Sequence, residues 1–217
     1  MAAVGYTLNM EYIDQIFLII IIMFSAVIHE VMHGVAADWL GDKTARYAGR
    51  LTMNPIPHLD PFGSILLPII FTLSHSPIFF GWAKPVPYNP YNLRPGRFSE
   101  AIVAGAGPAS NLVIALLFSG LIRSNILPPD INAVLFLIVV VNTMLCIFNM
   151  IPIPPLDGSK VLQSLLPDAL QHRYSQWRFQ LESNPFAGTG LVLLVIILLG
   201  GAFGSFVYAI AQTLAGM

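Results

Sequence analysis

Ile16-Phe-Leu-Ile-Ile-Ile-Ile-Met-Phe-Ser-Ala-Val-Ile-His29-Glu30-Val-Met-His33 is an apolar run that ends in three ionisable side chains. Only Ser25 interrupts the run before His29, so it reads as a membrane-crossing helix that begins near Tyr12. Two histidines four apart on a helix lie about 40° apart around its axis, so both imidazoles can reach one ion, with Glu30 beside them. Zinc is the natural guest of such a pair. At about 1.5 Å per residue, His29 stands roughly 25 Å along a helix that crosses a hydrocarbon core about 30 Å thick. Water chemistry is therefore expected below the membrane surface. Ionisable groups inside a span are costly and usually functional. The competing reading is a buried polar network that merely joins helices.

Composition supports a membrane protein. Of 217 residues, 56% are hydrophobic and 10% charged, and mean hydropathy is +0.73, well outside the range of soluble domains. The formal net charge of -1 gives no electrostatic basis for binding nucleic acid, and the ten Lys and Arg residues read as topology signals. Cys146 is the single cysteine, which excludes an intramolecular disulfide and a cysteine-rich metal cluster. The first eleven residues lack Lys and Arg, so the first apolar run is expected to stay in the mature protein rather than act as a cleaved signal.

Against the roughly 20 residues that a crossing needs, four spans stand out, at about 12–36, 100–122, 131–152 and 188–212. A fifth stretch, Phe62 to Phe80, is apolar but contains Pro68, Ser74, His75, Ser76 and Pro77. If it re-enters or lies at the interface, Lys43, Arg46, Arg50, Lys84, Arg94, Arg97, Lys160, Arg173 and Arg178 share one side and Arg123 stands alone opposite. If it crosses, that bias collapses, so the re-entrant or interfacial reading is favoured. The N-terminus is then outside the cell membrane, and the H-E-x-x-H motif lies toward the cytoplasmic half. Residues Ser159 to Ser183 read as a cytoplasmic interfacial segment. The expectation is an all-α, multi-pass integral membrane protein forming a single domain over 1–217, with its core at about 12–160.

Two histidines and a water leave a catalytic zinc site short of one protein ligand. Asp157 is the best third donor, because the span before it runs inward and delivers it to the leaflet of His29 and His33. Pro152, Pro154 and Pro155 precede it, and irregular backbone at membrane depth needs a protein-lined or aqueous cavity. An Asp-Gly turn is the alternative for Asp157 and Gly158. Asp60, the one rival ligand, precedes Pro61 and reads better as a cap. His58, His75 and His172 read as loop or interface residues, and the small residues Gly105, Ala106, Gly107, Ala109 and Ser110 as close helix packing. The amide of Asn111 either donates to a developing oxyanion or hydrogen-bonds a neighbouring helix.

His29-Glu-x-x-His33, Gly107-Pro-Ala-Ser-Asn111 and Asn149-Met-Ile-Pro-Ile-Pro-Pro-Leu-Asp157-Gly158 together resemble the site-2 protease family of intramembrane zinc metalloproteases. Gly49-Arg-Leu-Thr-Met-Asn-Pro, His58-Leu-Asp-Pro and Gly81-Trp-Ala-Lys-Pro-Val-Pro resemble its compact prokaryotic members, which lack a PDZ domain. The resemblance covers roughly the first 160 residues. It implies one Zn2+ held by His29, His33 and Asp157, with Glu30 as general base and Asn111 and Asn149 lining the site. It also implies a transmembrane protein as substrate, cut within or beside its membrane segment, and leaves any regulatory membrane partner open. The non-helical stretch from Arg46 to Pro87 and the prolines before Asp157 are candidates to hold an unwound substrate strand. The rival functions are a catalytically silent homologue that binds helices and a membrane metal transporter, although no repeated halves of the transporter kind appear in the sequence.

Overall fold

A computed structural model describes residues 2–66, 69, 70, 73 and 82–217. Its helices are α1 (Ala2–Trp39), α2 (Thr44–Tyr47), α3 (Ser99–Arg123), α4 (Pro129–Asn149), α5 (Asp157–Leu165), α6 (Asp168–Ser183) and α7 (Pro185–Ala215). Among the described residues there is no β-strand. Phe17–Trp39 within α1, together with α3 and α4, are long and apolar enough to cross a membrane. A fourth crossing is reached if the bent pair Asp168–Ser183 and Ala187–Leu198, angled at 95°, counts as one span. The expected span at 188–212 falls within α7. The stretch Phe62 to Phe80 is described only in part, beginning with a π-helical turn at Pro61–Leu66. Whether it re-enters lies outside the described residues. The expected interfacial segment forms α5 and α6.

Proline sets several boundaries. Pro129 and Pro185 open α4 and α7 at positions where a missing N–H costs little. After Asn149, Pro152, Pro154 and Pro155 stop α4, and Ile153 and Leu156 fold back through short turns before α5 begins. Gly158 allows that return, because a Cβ there would collide with the backbone of Met150 and Ile151. Its role is close approach of α5 to the end of α4, and it carries Asp157 inward.

Helix α3 is the centre of the bundle, packing on α1, α4, α5 and α7. In a bilayer, apolar contact alone gives helices little reason to associate, so small and polar residues decide the packing. The face of α3 fits that rule: Ala104, Gly107, Asn111, Ala115 and Ser119 are all buried. Toward the α7 C-terminus, Ala115, Ile122, Val139, Ala211 and Ala215 form one cluster, and Arg123 donates to the carbonyls of Thr213 and Leu214.

At the other end, Ala37, Leu40, Leu93 and Val103 form a second cluster that anchors the connection from α1 to α3. Here Asp42, fully buried, accepts from the Thr44 hydroxyl, the Asn89 backbone and the Asn92 amide at 2.5, 2.6 and 3.1 Å. Burial opposes its charge, but these donors outweigh that cost and hold its carboxyl below the ordinary value. Lys84 donates its N–H to the His58 carbonyl at 2.8 Å, and its own carbonyl accepts from Arg50 at 2.8 Å. Residues 84–89 are thereby strapped across the side of α1 that carries Glu30.

Candidate metal centre

His29 and His33 project from one face of α1, each less than a tenth exposed. Their rings meet edge to face, with centroids 4.7 Å apart. The Nε2 atoms of both lie 3.2 Å from the same carboxylate oxygen, Oδ2 of Asp157. Helix periodicity brings the two imidazoles together, and the break at the end of α4 brings the carboxylate. Ligand atoms of His29, Glu30 and His33 also lie within 4.8 Å of one another.

These donors fit a zinc ion. Ligands held tetrahedrally at about 2.0–2.1 Å stand about 3.3 Å from one another, close to the 3.2 Å separations found here. The wall opposite is Gly107 of α3, where a Cβ would stand 2.5 Å from Nε2 of His33 and 2.6 Å from Nε2 of His29. A side chain there would fill the space the nitrogens face.

The remaining ring nitrogens are held by the same face of α3, one turn either side of Gly107. Nδ1 of His33 donates to the Val103 carbonyl at 2.7 Å, which leaves Nε2 as the free lone pair. Nδ1 of His29 lies 2.6 Å from Oδ1 of Asn111. Asn111 is fully buried, and its amide nitrogen is within reach of Oδ1 of Asn142 at 2.9 Å and the Ser25 carbonyl at 3.4 Å. Of the two roles the sequence leaves open for Asn111, its contacts support hydrogen bonding within the helix bundle. Asn142 carries no motif, and sequence reasoning missed it. The available signal was a lone amide inside Val139-Val-Val-Asn142, at a depth where an unpaired amide is costly.

Glu30 is half-buried beside the histidines, and its Oε2 accepts from the Val86 N–H at 2.9 Å. Val86 sits between Pro85 and Pro87, which have no N–H to offer. One carboxylate oxygen is thus fixed by the strap. Asn149 is placed differently: its amide donates to the Leu145 carbonyl one turn back.

Asp60 caps its own turn, with Oδ1 accepting from the N–H groups of Phe62 and Gly63. His58 is buried against the Thr52 carbonyl, and His172 is exposed beside Gln176. His75 lies outside the described residues.

Electrostatics around the donors are asymmetric. Asp157 opens α5, beyond the last residue of α4. Burial alone would raise its carboxyl, but the imidazoles of His29 and His33 outweigh this and hold it well below the usual carboxylate range. One turn on, burial disfavours the Lys160 ammonium, yet Tyr88, Asp157 and Glu182 keep it charged, above its ordinary value. Its Nζ stands 5.4 Å from the centre of the Tyr88 ring.

An apolar helix bundle that closes on two histidines of H-E-x-x-H and a distant aspartate defines a membrane-embedded metalloprotease scaffold. Residues 120–196 match the model of peptidase family M50, a region that contains Asp157. The chain is 33% identical over 169 residues to YwhC of Bacillus subtilis, covering 74% of each chain. It is 32% identical over 163 residues to Rip2 of Mycolicibacterium smegmatis, covering 72% of this chain and 61% of that one. Rip2 of Mycobacterium tuberculosis is 28% identical over 197 residues, covering 88% of this chain and 70% of that one. All three are named as candidate zinc metalloproteases. No solved structure gives a significant match. The chain belongs to peptidase family M50, the site-2 protease family.

Proposed function

We propose that this protein is an intramembrane zinc endopeptidase that hydrolyses peptide bonds within or next to transmembrane segments of other membrane proteins. The observation that carries this reading is the convergence of His29 Nε2, His33 Nε2 and Asp157 Oδ2, with Glu30 alongside, in a buried polar site between membrane helices. His29, His33 and Asp157 would hold the ion. Bound there, zinc supplies a Lewis acid that polarises a carbonyl and acidifies a water.

Glu30 carries the protons. Its Oε2 is occupied by Val86, so Oε1 is the oxygen left to accept a proton from the attacking water and to return it to the leaving amine. A substrate helix hides its carbonyls in its own hydrogen bonds and must unwind locally before attack. The strap over residues 84–89 and the proline-rich return before Asp157 flank the site where the unwound strand would lie.

The cations bear on orientation. Lys43, Arg46, Arg50, Lys84, Arg94, Arg97, Lys160, Arg173 and Arg178 belong to connections and helices at the Asp157 end, whereas Arg123 closes the opposite end against α7. By the positive-inside rule, the site faces the cytoplasmic leaflet of the cell membrane with the N-terminus outside.

Reconstitution in liposomes with single-span substrate proteins tests the proposal. Wild type should bind about one zinc per chain and cut, while Glu30→Gln should keep the zinc and lose cleavage by at least about 100-fold, the scale of general acid–base catalysis. Cleavage retained by Glu30→Gln would remove the general base from the account. Transport of zinc across the liposome by wild type without cleavage would replace the protease with a metal carrier.

A further inference from the structure

Asn142 lies in the middle of α4, fully buried, on a helix that supplies none of the three ion-facing donors. Its Nδ2 sits 2.9 Å from the Ile138 carbonyl and 3.0 Å from Oγ of Ser25. A backbone carbonyl can only accept, so the Asn142 atom facing Ile138 must be the NH2 nitrogen. Its other end, Oδ1, must therefore accept. The Asn111 atom 2.9 Å from that oxygen is then an NH2 nitrogen, and the Ser25 carbonyl at 3.4 Å demands the same orientation. Asn111 is left with Oδ1 toward His29, 2.6 Å from Nδ1. That nitrogen must carry the proton, which leaves the lone pair on Nε2, the atom that faces Asp157 and the glycine wall.

We propose that Asn142 is a positioning residue of the metal centre: through Asn111 it fixes the tautomer of His29, so that Nε2 is always presented to the ion. The inference rests on the metal reading of the site given above. Three helices take part, because Ser25 belongs to α1, one turn before His29, Asn111 to α3 and Asn142 to α4. His33 needs no such chain, since its Nδ1 meets a backbone carbonyl directly. The arrangement joins helix packing to ligand chemistry: registering α4 against α1 and α3 also sets which nitrogen of His29 is free. Partners in this outer layer around a metal commonly change its affinity by about 10–100-fold when lost.

A double-mutant cycle read by zinc affinity tests this, using chelator competition on the full-length protein in detergent. Asn142→Leu should weaken zinc binding by about 10-fold or more, because the Asn111 amide then keeps only the long 3.4 Å contact to the Ser25 carbonyl and can turn its NH2 toward His29. In an Asn111→Ala background there is no amide left to orient. There, Asn142→Leu should cost less than about threefold, since the lost partner no longer acts through Asn111. Equal losses in both backgrounds would mean that Asn142 serves only helix packing, and would overturn the proposal. So would an Asn142→Leu single variant with wild-type affinity. Asn142→Ala carries the same cycle if the leucine variant fails to insert. Wild type that binds no zinc would sink the metal reading itself, whereas failure of the cycle alone leaves that reading standing.

Discussion

Gly107→Ala adds a single methyl group to α3, and its effect can be worked from the site. The new Cβ would stand 2.5 and 2.6 Å from the two Nε2 atoms. Ordinary contact begins near 3.4 Å, so each imidazole must retreat by roughly 0.8–0.9 Å or α3 must move away. Retreat from α3 stretches the hydrogen bonds that Asn111 and the Val103 carbonyl, one turn either side of Gly107 on the same face of α3, make to the two Nδ1 atoms at 2.6 and 2.7 Å. A zinc site tolerates displacements of about 0.2 Å in its ligand distances, so the shift effectively removes a ligand. The expected loss is at least about 100-fold in zinc affinity, or roughly 2.8 kcal/mol. Gly105→Ala supplies the control, because a Cβ at that position meets nothing within 4 Å. It should leave zinc affinity unchanged and, by helix propensity, stabilise the metal-free protein by up to about 1 kcal/mol. Chelator competition measures the affinities, and thermal unfolding of metal-free samples the stabilities. Wild-type zinc affinity in Gly107→Ala would refute the placement of α3 against the imidazoles.

Val86→Pro deletes the N–H that holds Glu30 and replaces the buried valine side chain, within a segment already shaped by Pro85 and Pro87. With a hydrogen bond to a charged group worth about 1.5–3 kcal/mol, kcat should fall about 10-fold or more at unchanged zinc content. Val86→Ala should retain wild-type turnover; a fully active proline variant would contradict the role given to that N–H. Asp42 makes the strap pH-sensitive. Its folded value is lowered, so its contribution is present above the unfolded carboxylate value of about 3.9 and is lost as pH falls through the lower folded value. Protection of the Asn89 N–H, taken as its exchange rate relative to that of an unstructured peptide at the same pH, should therefore fall below about pH 4 in wild type, and Asp42→Asn should flatten that dependence; parallel profiles would exclude Asp42 as its source.

Much of the site is legible in the sequence, for reasons that its geometry explains. His29 and His33 announce themselves because helix periodicity alone puts them on one face. Asp157 follows from counting leaflets and from prolines that cannot continue a helix. Asp60 reads as a cap from Pro61, and its carboxylate is found capping that turn.

Other parts carry no such signal. The partner of Glu30 is a backbone N–H, and a main-chain donor leaves no mark on residue identity beyond its flanking prolines. Gly107 reads as one small residue among several, because which of them faces the imidazoles depends on the rotation of α3. The amide of Asn111 is equally suited to an oxyanion or a neighbour until its hydrogen bonds are traced, and those run to His29, Asn142 and Ser25. Asn142 belongs to no motif. It becomes visible only when the orientation of one amide is followed into the next.

The most direct test of the central claim is the zinc content and X-ray absorption spectrum of the purified full-length protein, beside Asp157→Ala. The account predicts about one zinc per chain, with two imidazole nitrogens and a carboxylate oxygen at about 2.0–2.1 Å. In Asp157→Ala, affinity should fall by at least about 100-fold, on the same tenfold scale of about 1.4 kcal/mol per decade. Wild type without zinc, or zinc held as tightly after Asp157 is removed, would contradict it.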